Sequence, residues 1–183
     1  DELDRALDEG VDMVAVTLLE ACFEATRRLT RHVRERSRAP IAVGGAMPTL
    51  APLHVAAHMD CADLIVRGPG ETLLPRLARL VHDGIVEAQM GEILELPGVI
   101  WFAGDELLAC RPGNVADPDP DLTPMDFSLL GPEHISGGLS LETSRGCTNP
   151  CLFCTTPGRD AHRGRSASVV AEHIAAYERR IDE

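Results

Sequence analysis

Val11-Asp12-Met13-Val14-Ala15-Val16-Thr17-Leu18-Leu19 is the stretch on which the fold turns. The run is apolar, rich in β-branched residues and too continuous for a half-exposed edge, so it predicts a strand covered on both faces. Immediately upstream, residues 1–9 read as the tail of a helix closed by Gly10. Downstream, residues 20–38 predict a helix charged on one face and ended by Pro40 two residues later.

The same alternation continues. Residues 41–43 are a second short apolar strand that stops at Gly44-Gly45. A helix follows around 51–58, with Pro52 tolerated in its first turn. Residues 64–66 are a third strand, closed by Gly68-Pro69-Gly70, and residues 72–82 place Leu73, Leu74, Leu77, Leu80 and Val81 on one side of a helix that Gly84 ends. Strands alternating with helices at this spacing imply a doubly wound α/β domain with a parallel sheet and right-handed crossovers. Its ligand crevice is expected where the strands end, at Thr17, at Gly44-Gly45 and at Gly68-Pro69-Gly70.

Beyond residue 96 the pattern changes. Residues 97–111 carry the signature of a β-hairpin turning at Gly104-Asp105. Residues 114–124 are rich in aspartate and proline and predict an extended linker. The expected organisation is an α/β domain over 1–112, a linker over 113–136 and the start of a second domain over 137–183. In that second domain, residues 139–143 predict a strand running into a cysteine loop. Val169, Val170, Ile174, Tyr177 and Ile181 then recur at helical spacing behind Ser166 or Ser168 as N-cap.

Bulk properties narrow the function classes. The 183 residues are 44% hydrophobic and 25% charged, the mix of a soluble globular protein. No apolar run approaches the roughly 18 residues of a membrane span. A net charge of −12 and only 3% aromatic residues argue against phosphate-backbone binding and base stacking, so no nucleic-acid partner is expected. All 17 basic residues are arginine, a bias that GC-rich codons explain. The acidic opening is no signal peptide, and with no initiator methionine the chain reads as a piece of a longer protein. Six cysteines without an export signal suggest the reducing cytoplasm. Cys22, Cys61 and Cys110 are scattered and read as small buried hydrophobes.

The other three are clustered, in Ser144-Arg145-Gly146-Cys147-Thr148-Asn149-Pro150-Cys151-Leu152-Phe153-Cys154. Three thiolates on one short Gly/Asn/Pro loop can converge on one inorganic centre. A four-iron four-sulfur cluster normally takes four cysteines, so three leave one iron open to a substrate. Two other readings remain open: zinc held by the three cysteines with His162 in an interaction module, and a disulfide between two of them. His54 and His58 share the i, i+4 spacing of metal ligands, but lack a carboxylate partner motif and read as ordinary helix residues.

The C-x3-C-x2-C spacing, with Phe153 just before the last cysteine, resembles the radical S-adenosylmethionine (radical SAM) family. The resemblance implies Cys147, Cys151 and Cys154 as ligands of a 4Fe-4S cluster whose free iron chelates S-adenosylmethionine. It also implies Phe153 packing beside the adenine, and reductive cleavage to a 5′-deoxyadenosyl radical. An electron donor such as flavodoxin or ferredoxin would supply the electron. Arg163 and Arg165 lie where relatives carry a basic stretch, and Arg145 lies where a charge can tune the cluster.

Thr17-x-Leu19, Gly44-Gly45 and Arg67-Gly68-Pro69-Gly70-Glu71-Thr72, each after a strand, resemble the cobalamin-binding-type domain that precedes the barrel in one radical SAM subgroup. Pro69 departs from the subgroup's Gly-Glu-Gly-Glu form. The resemblance implies Thr17, Leu19, Gly44, Gly45, Gly68 and Gly70 around a cobalamin. It implies a parent enzyme that acts on a small molecule, lipid or peptide, with methyl transfer the leading expectation. A superfamily member that does not use cobalamin is the alternative. The 183 residues alone are expected to be inactive, since they hold only the first βα unit of the barrel.

Overall fold

The structure is a computed structural model; it describes residues 2–84, 92–93, 96–103, 106–109, 119–122, 125–127, 130, 138, 140–149, 151–154 and 162–181. The chain divides into two compact units, Asp1–Asp117 and Pro118–Glu183.

In the first unit the order is helix α1 (Glu2–Glu9), strand β1 (Val14–Thr17), helix α2 (Phe23–Arg36), strand β2 (Ile41–Gly44), short helices α3 (Ala46–Leu50) and α4 (Pro52–His58), strand β3 (Leu64–Val66), helix α5 (Gly70–His82), and strands β4 (Val99–Ala103) and β5 (Glu106–Ala109). The five strands form one sheet in the order β1-β2-β3-β4-β5. β1, β2 and β3 are parallel; β4 runs antiparallel to β3, and β5 antiparallel to β4. The α/β alternation therefore builds a mixed sheet with a parallel half, and the hairpin extends that same sheet.

Strand alternation decides which face each residue serves. Ile41, Val43, Ile65 and Ile100 face one way, into a core with Leu7 of α1, Val33 of α2, and Val55, Ala56 and Met59 of α4. Ala42, Leu64, Val66, Val99 and Trp101 face the other way, against Leu73 and Leu77 of α5. Helices thus cover both faces, as a doubly wound domain requires. Each fully buried Leu, Ile or Val contributes about 1.5–3 kcal/mol relative to exposure.

Polar contacts tie the helices to the strand ends. The Asp63 carboxylate accepts the backbone N–H of Ile41 at 2.7 Å and pairs with Arg34 of α2. Arg31 meets Asp60 at 2.7 Å, and Arg36 meets Asp8 at 2.6 Å. The Thr30 hydroxyl, buried in α2, donates to the carbonyl of Arg27 at 3.0 Å.

Three expectations need correction. The strand expected over 11–19 is confined to Val14–Thr17 and stands at the end of the strand order, with Ala15 and Thr17 exposed. Those two residues line a crevice, so one side of the run is left open rather than packed. The helix expected over 20–38 begins at Phe23, behind a 3-10 turn over Glu20–Cys22. Residues 140–143 are not strand; pairing is limited to Ser144–Arg145. The turn of the hairpin, Gly104-Asp105, lies outside the described residues, as does Cys110.

In the second unit, strand β6 (Ser144–Arg145) pairs antiparallel with β7 (Arg163–Gly164), and helix α6 (Ala167–Ile181) follows. Ser166 is the cap, its hydroxyl accepting the Val169 N–H at 3.5 Å. Part of the stretch expected as linker folds against this unit. Phe127 is buried, with its ring 6.0 Å from Tyr177 and 6.3 Å from His173 on α6. One apolar ring in a polar segment is enough to give it a place to pack.

Candidate functional site

The carboxyl ends of β1, β2 and β3 open into a crevice of about 350 Å³, within the range of small-ligand pockets. It is lined by Ala15, Val16 and Thr17 from β1, by Ala42, Gly44 and Gly45, and by Val66, Gly68, Gly70, Glu71 and Leu74. Thr17, Gly44, Gly45, Gly68 and Gly70, five of the residues expected around a cofactor, are therefore brought to one cavity. Leu19 is not among the lining residues; its side chain is 50% exposed.

Backbone geometry explains the small residues. Gly45 has φ +106°, and a Cβ there would meet the Leu18 carbonyl oxygen and Cγ2 of Thr17 at 3.0 Å each. A side chain at Gly45 would thus occupy the space that lets β1 and the β2 turn approach. Gly68, at φ +79°, turns the chain from β3 into α5. Gly70 opens α5, whose N-cap, Pro69, offers no side-chain cap, and Gly70 and Glu71 both line the crevice.

A residue that sequence reasoning passed over joins these walls. The Thr49 hydroxyl donates to the carbonyl of Gly45 at 2.7 Å and accepts the Gly68 N–H at 3.0 Å. Its position four residues after Gly45, inside one helical turn, was the available signal. The Leu18 N–H donates to Gly44 O at 2.7 Å, and the Arg67 N–H to Gly98 O at 2.8 Å, which pins each wall to its neighbouring strand.

The cysteine loop leaves β6 and returns at β7, so the strand pair is its neck. Arg165 closes that neck. Its side chain is only 1% exposed. It donates to the Glu142 carbonyl at 2.7 Å, to the Glu142 carboxylate at 3.0 Å, and to the carbonyl of Pro120. Arg145 meets the same carboxylate at 2.7 Å. Burial pushes the Glu142 carboxyl up, but the hydrogen bonds and charges of Arg145 and Arg165 outweigh it and hold it below the usual range. Arg163 is exposed.

Within the loop, Cys147 and Cys154 are half-buried and Cys151 is exposed; none of the three is in a disulfide. The Asn149 N–H approaches Cys147 Sγ at 3.4 Å, and the Cys154 N–H bonds to the Cys151 carbonyl at 3.1 Å. Leu152 is fully exposed and Phe153 is 88% exposed. Among the described residues no three His, Cys, Asp or Glu side chains stand close enough to share an ion. The donor set suits an iron–sulfur cluster in kind, but its sulfurs are not gathered in this structure; nor is a zinc site formed with His162. His54 and His58 stack with centroids 4.3 Å apart on the exposed side of α4. Among the described residues they too join no three-ligand group.

Comparison with known proteins bears on both units. Residues 1–78 match the family model of the B12 binding domain. The chain is 32% identical over 147 residues to the hopanoid C-3 methylase of Methylococcus capsulatus, covering 77% of this chain and 26% of that protein. It is 25% identical over 162 residues to an uncharacterized methyltransferase, PH0819, of Pyrococcus horikoshii, covering 86% of this chain and 34% of that protein. The chain thus spans about a quarter to a third of these relatives. Among solved structures, the radical S-adenosylmethionine methyltransferase TsrM of Kitasatospora setae, with tryptophan and a SAM analogue bound, superposes with TM-score 0.66 at 20% identity, over 95% of this chain and 37% of that one. The cobalamin-dependent S-adenosylmethionine radical enzyme OxsB, with aqua-cobalamin bound, gives 0.60 at 21% identity, over 96% and 24%. These likenesses show the fold. No helix among the described residues is long and apolar enough to cross a membrane.

Proposed function

We propose that this chain supplies the cobalamin-binding domain and the cluster-binding loop of a radical SAM enzyme of methyltransferase type. The observation that carries the reading is the crevice. Five of its lining residues, Thr17, Gly44, Gly45, Gly68 and Gly70, belong to the motifs that suggested a cobalamin site. They all lie within the segment that matches the B12 binding domain.

The fit to cobalamin rests on the glycine cradle. Gly44, Gly45, Gly68 and Gly70 line the crevice with backbone alone; a Cβ on Gly70 would enter open space, whereas one on Gly45 would strike Leu18 and Thr17. Backbone N–H groups at the start of α5 are suited to a phosphate in the ligand's tail. Thr17 offers a hydroxyl at the same rim. When bound, methylcobalamin would supply a transferable methyl group; the residues here would hold its tail.

In the second unit, the reading assigns Cys147, Cys151 and Cys154 to a 4Fe-4S cluster, with S-adenosylmethionine on the open iron and Phe153 beside its adenine. Support comes from the spacing, from the thiol donor chemistry and from the likeness in fold to TsrM, a radical S-adenosylmethionine methyltransferase solved with cobalamin and a 4Fe-4S cluster bound. The parent protein would use an electron donor of flavodoxin or ferredoxin type and act on a small molecule, lipid or peptide in the cytoplasm.

Titration of the chain with hydroxocobalamin, followed by the corrin absorbance, tests the crevice. Saturable binding at one site per chain, weakened by bulk at Gly45, is expected. Absence of saturable binding contradicts the reading and favours a superfamily member whose α/β domain is scaffold alone.

A further inference from the structure

Thr49 does not line the crevice, yet it bridges both of its walls. The hydroxyl donates its one proton to Gly45 O at 2.7 Å and accepts the Gly68 N–H at 3.0 Å. A single oxygen thus joins the turn after β2 to the turn after β3. Both partners are glycines with positive φ, at +106° and +79°, the conformations with the fewest side-chain restraints of their own. The short helix α3 aims the group: the Thr49 N–H also bonds to Gly45 O, at 3.2 Å, so the residue is held by backbone as well as side chain.

We infer that Thr49 is the positioning residue of the crevice. Its hydroxyl clamps the Gly44-Gly45 wall to the Gly68–Gly70 wall and so sets the gap that receives the ligand. This rests on the cobalamin reading of the site and adds a residue to it. The chemistry requires a group that donates and accepts at once from one atom, which serine retains and valine, of nearly the same shape, does not. Without it, Gly68 has lost its side-chain acceptor and Gly45 O keeps only its backbone donor. The walls are then free to shift, and a ligand must order them on binding.

The test compares Thr49→Val and Thr49→Ala with Thr49→Ser in the same chain. Two quantities are measured: the dissociation constant for hydroxocobalamin, and hydrogen exchange at the Gly68 amide. Removing the hydroxyl is expected to weaken binding about tenfold, as loss of one well-placed hydrogen bond does. Serine is expected to stay within about twofold of the parent. Exchange at Gly68 should quicken in the valine and alanine variants and remain parent-like in serine. Alanine guards against a valine variant that fails to fold. Parent-like binding in both hydroxyl-free variants, or a serine variant as weak as they are, overturns the inference. If the parent itself binds no cobalamin, the cobalamin reading falls and Gly68 exchange alone decides the clamp: unchanged exchange in the hydroxyl-free variants overturns it.

Discussion

A Cβ placed on Gly45 would stand 3.0 Å from Cγ2 of Thr17, closer than side-chain carbons ordinarily pack. The residue that must be small and the residue that offers a hydroxyl thus meet in the lining of one crevice. Gly45→Ala is expected to lower unfolding free energy by about 1–3 kcal/mol, through strained backbone and the clash together. Gly10 is the control: its φ is also positive, at +94°, but nothing lies within 4 Å of its Cβ position. Denaturant unfolding should therefore find Gly45→Ala the costlier of the two, and equal costs would remove the packing argument.

Arg165 anchors the neck of the cysteine loop by binding Glu142 twice, through carbonyl and carboxylate. Arg165→Met keeps the length and loses every donor. It should cost the second unit about 2–4 kcal/mol, because Glu142 and the Pro120 carbonyl lose a buried cation. Glu142→Gln should cost less, about 1 kcal/mol, since that carboxylate is partly in solvent. Limited proteolysis of the 146–162 loop would report the opening as faster cleavage in the arginine variant.

Glu142 also makes a prediction about pH. Its folded carboxyl titrates below the ordinary value of 4.5 because Arg145 and Arg165 prevail over burial. The unfolded chain therefore takes up its proton first on acidification. The stabilisation is complete above that ordinary value and disappears as pH falls through the lowered folded value. The stability difference between the parent and Glu142→Gln should be present at neutral pH and vanish in strong acid.

His82 behaves in the opposite sense. Its ring, 3.0 Å from the Asp12 carboxylate, is raised above the usual histidine value by that hydrogen bond and by the charges of Asp12 and Asp83. Any stabilisation is present below about pH 6.5 and lost as pH rises through the raised value. NMR titration of the His82 ring should show the elevated midpoint, and Asp12→Asn should bring it back.

The α/β alternation was legible because short apolar runs such as Ile41–Val43 and Leu64–Val66 admit little but buried parallel strands. The crevice glycines were legible for the same reason, since they lie at the ends of the strands and in the turns that follow them. Side chains that join distant loops were not. Thr49 falls between the strand that stops at Gly44-Gly45 and the helix expected from 51, and only the fold shows that Gly68 waits opposite its hydroxyl. Asp63 and Arg165 are similar, charged residues whose partners lie 22 and 23 positions away. β1 misled because its exposed Ala15 and Thr17 are as strand-like as buried residues; what leaves them open is the crevice, not the composition.

Metal content per chain tests most directly whether the crevice and the cysteine loop serve one radical enzyme. The protein is reconstituted anaerobically with iron, sulfide and hydroxocobalamin, freed of unbound reagents, and assayed for iron, cobalt and zinc. About four iron and about one cobalt per chain are expected, with the iron abolished by Cys147→Ala, Cys151→Ala or Cys154→Ala and the cobalt retained. Zinc in place of iron, or a cobalt content near zero, would contradict it.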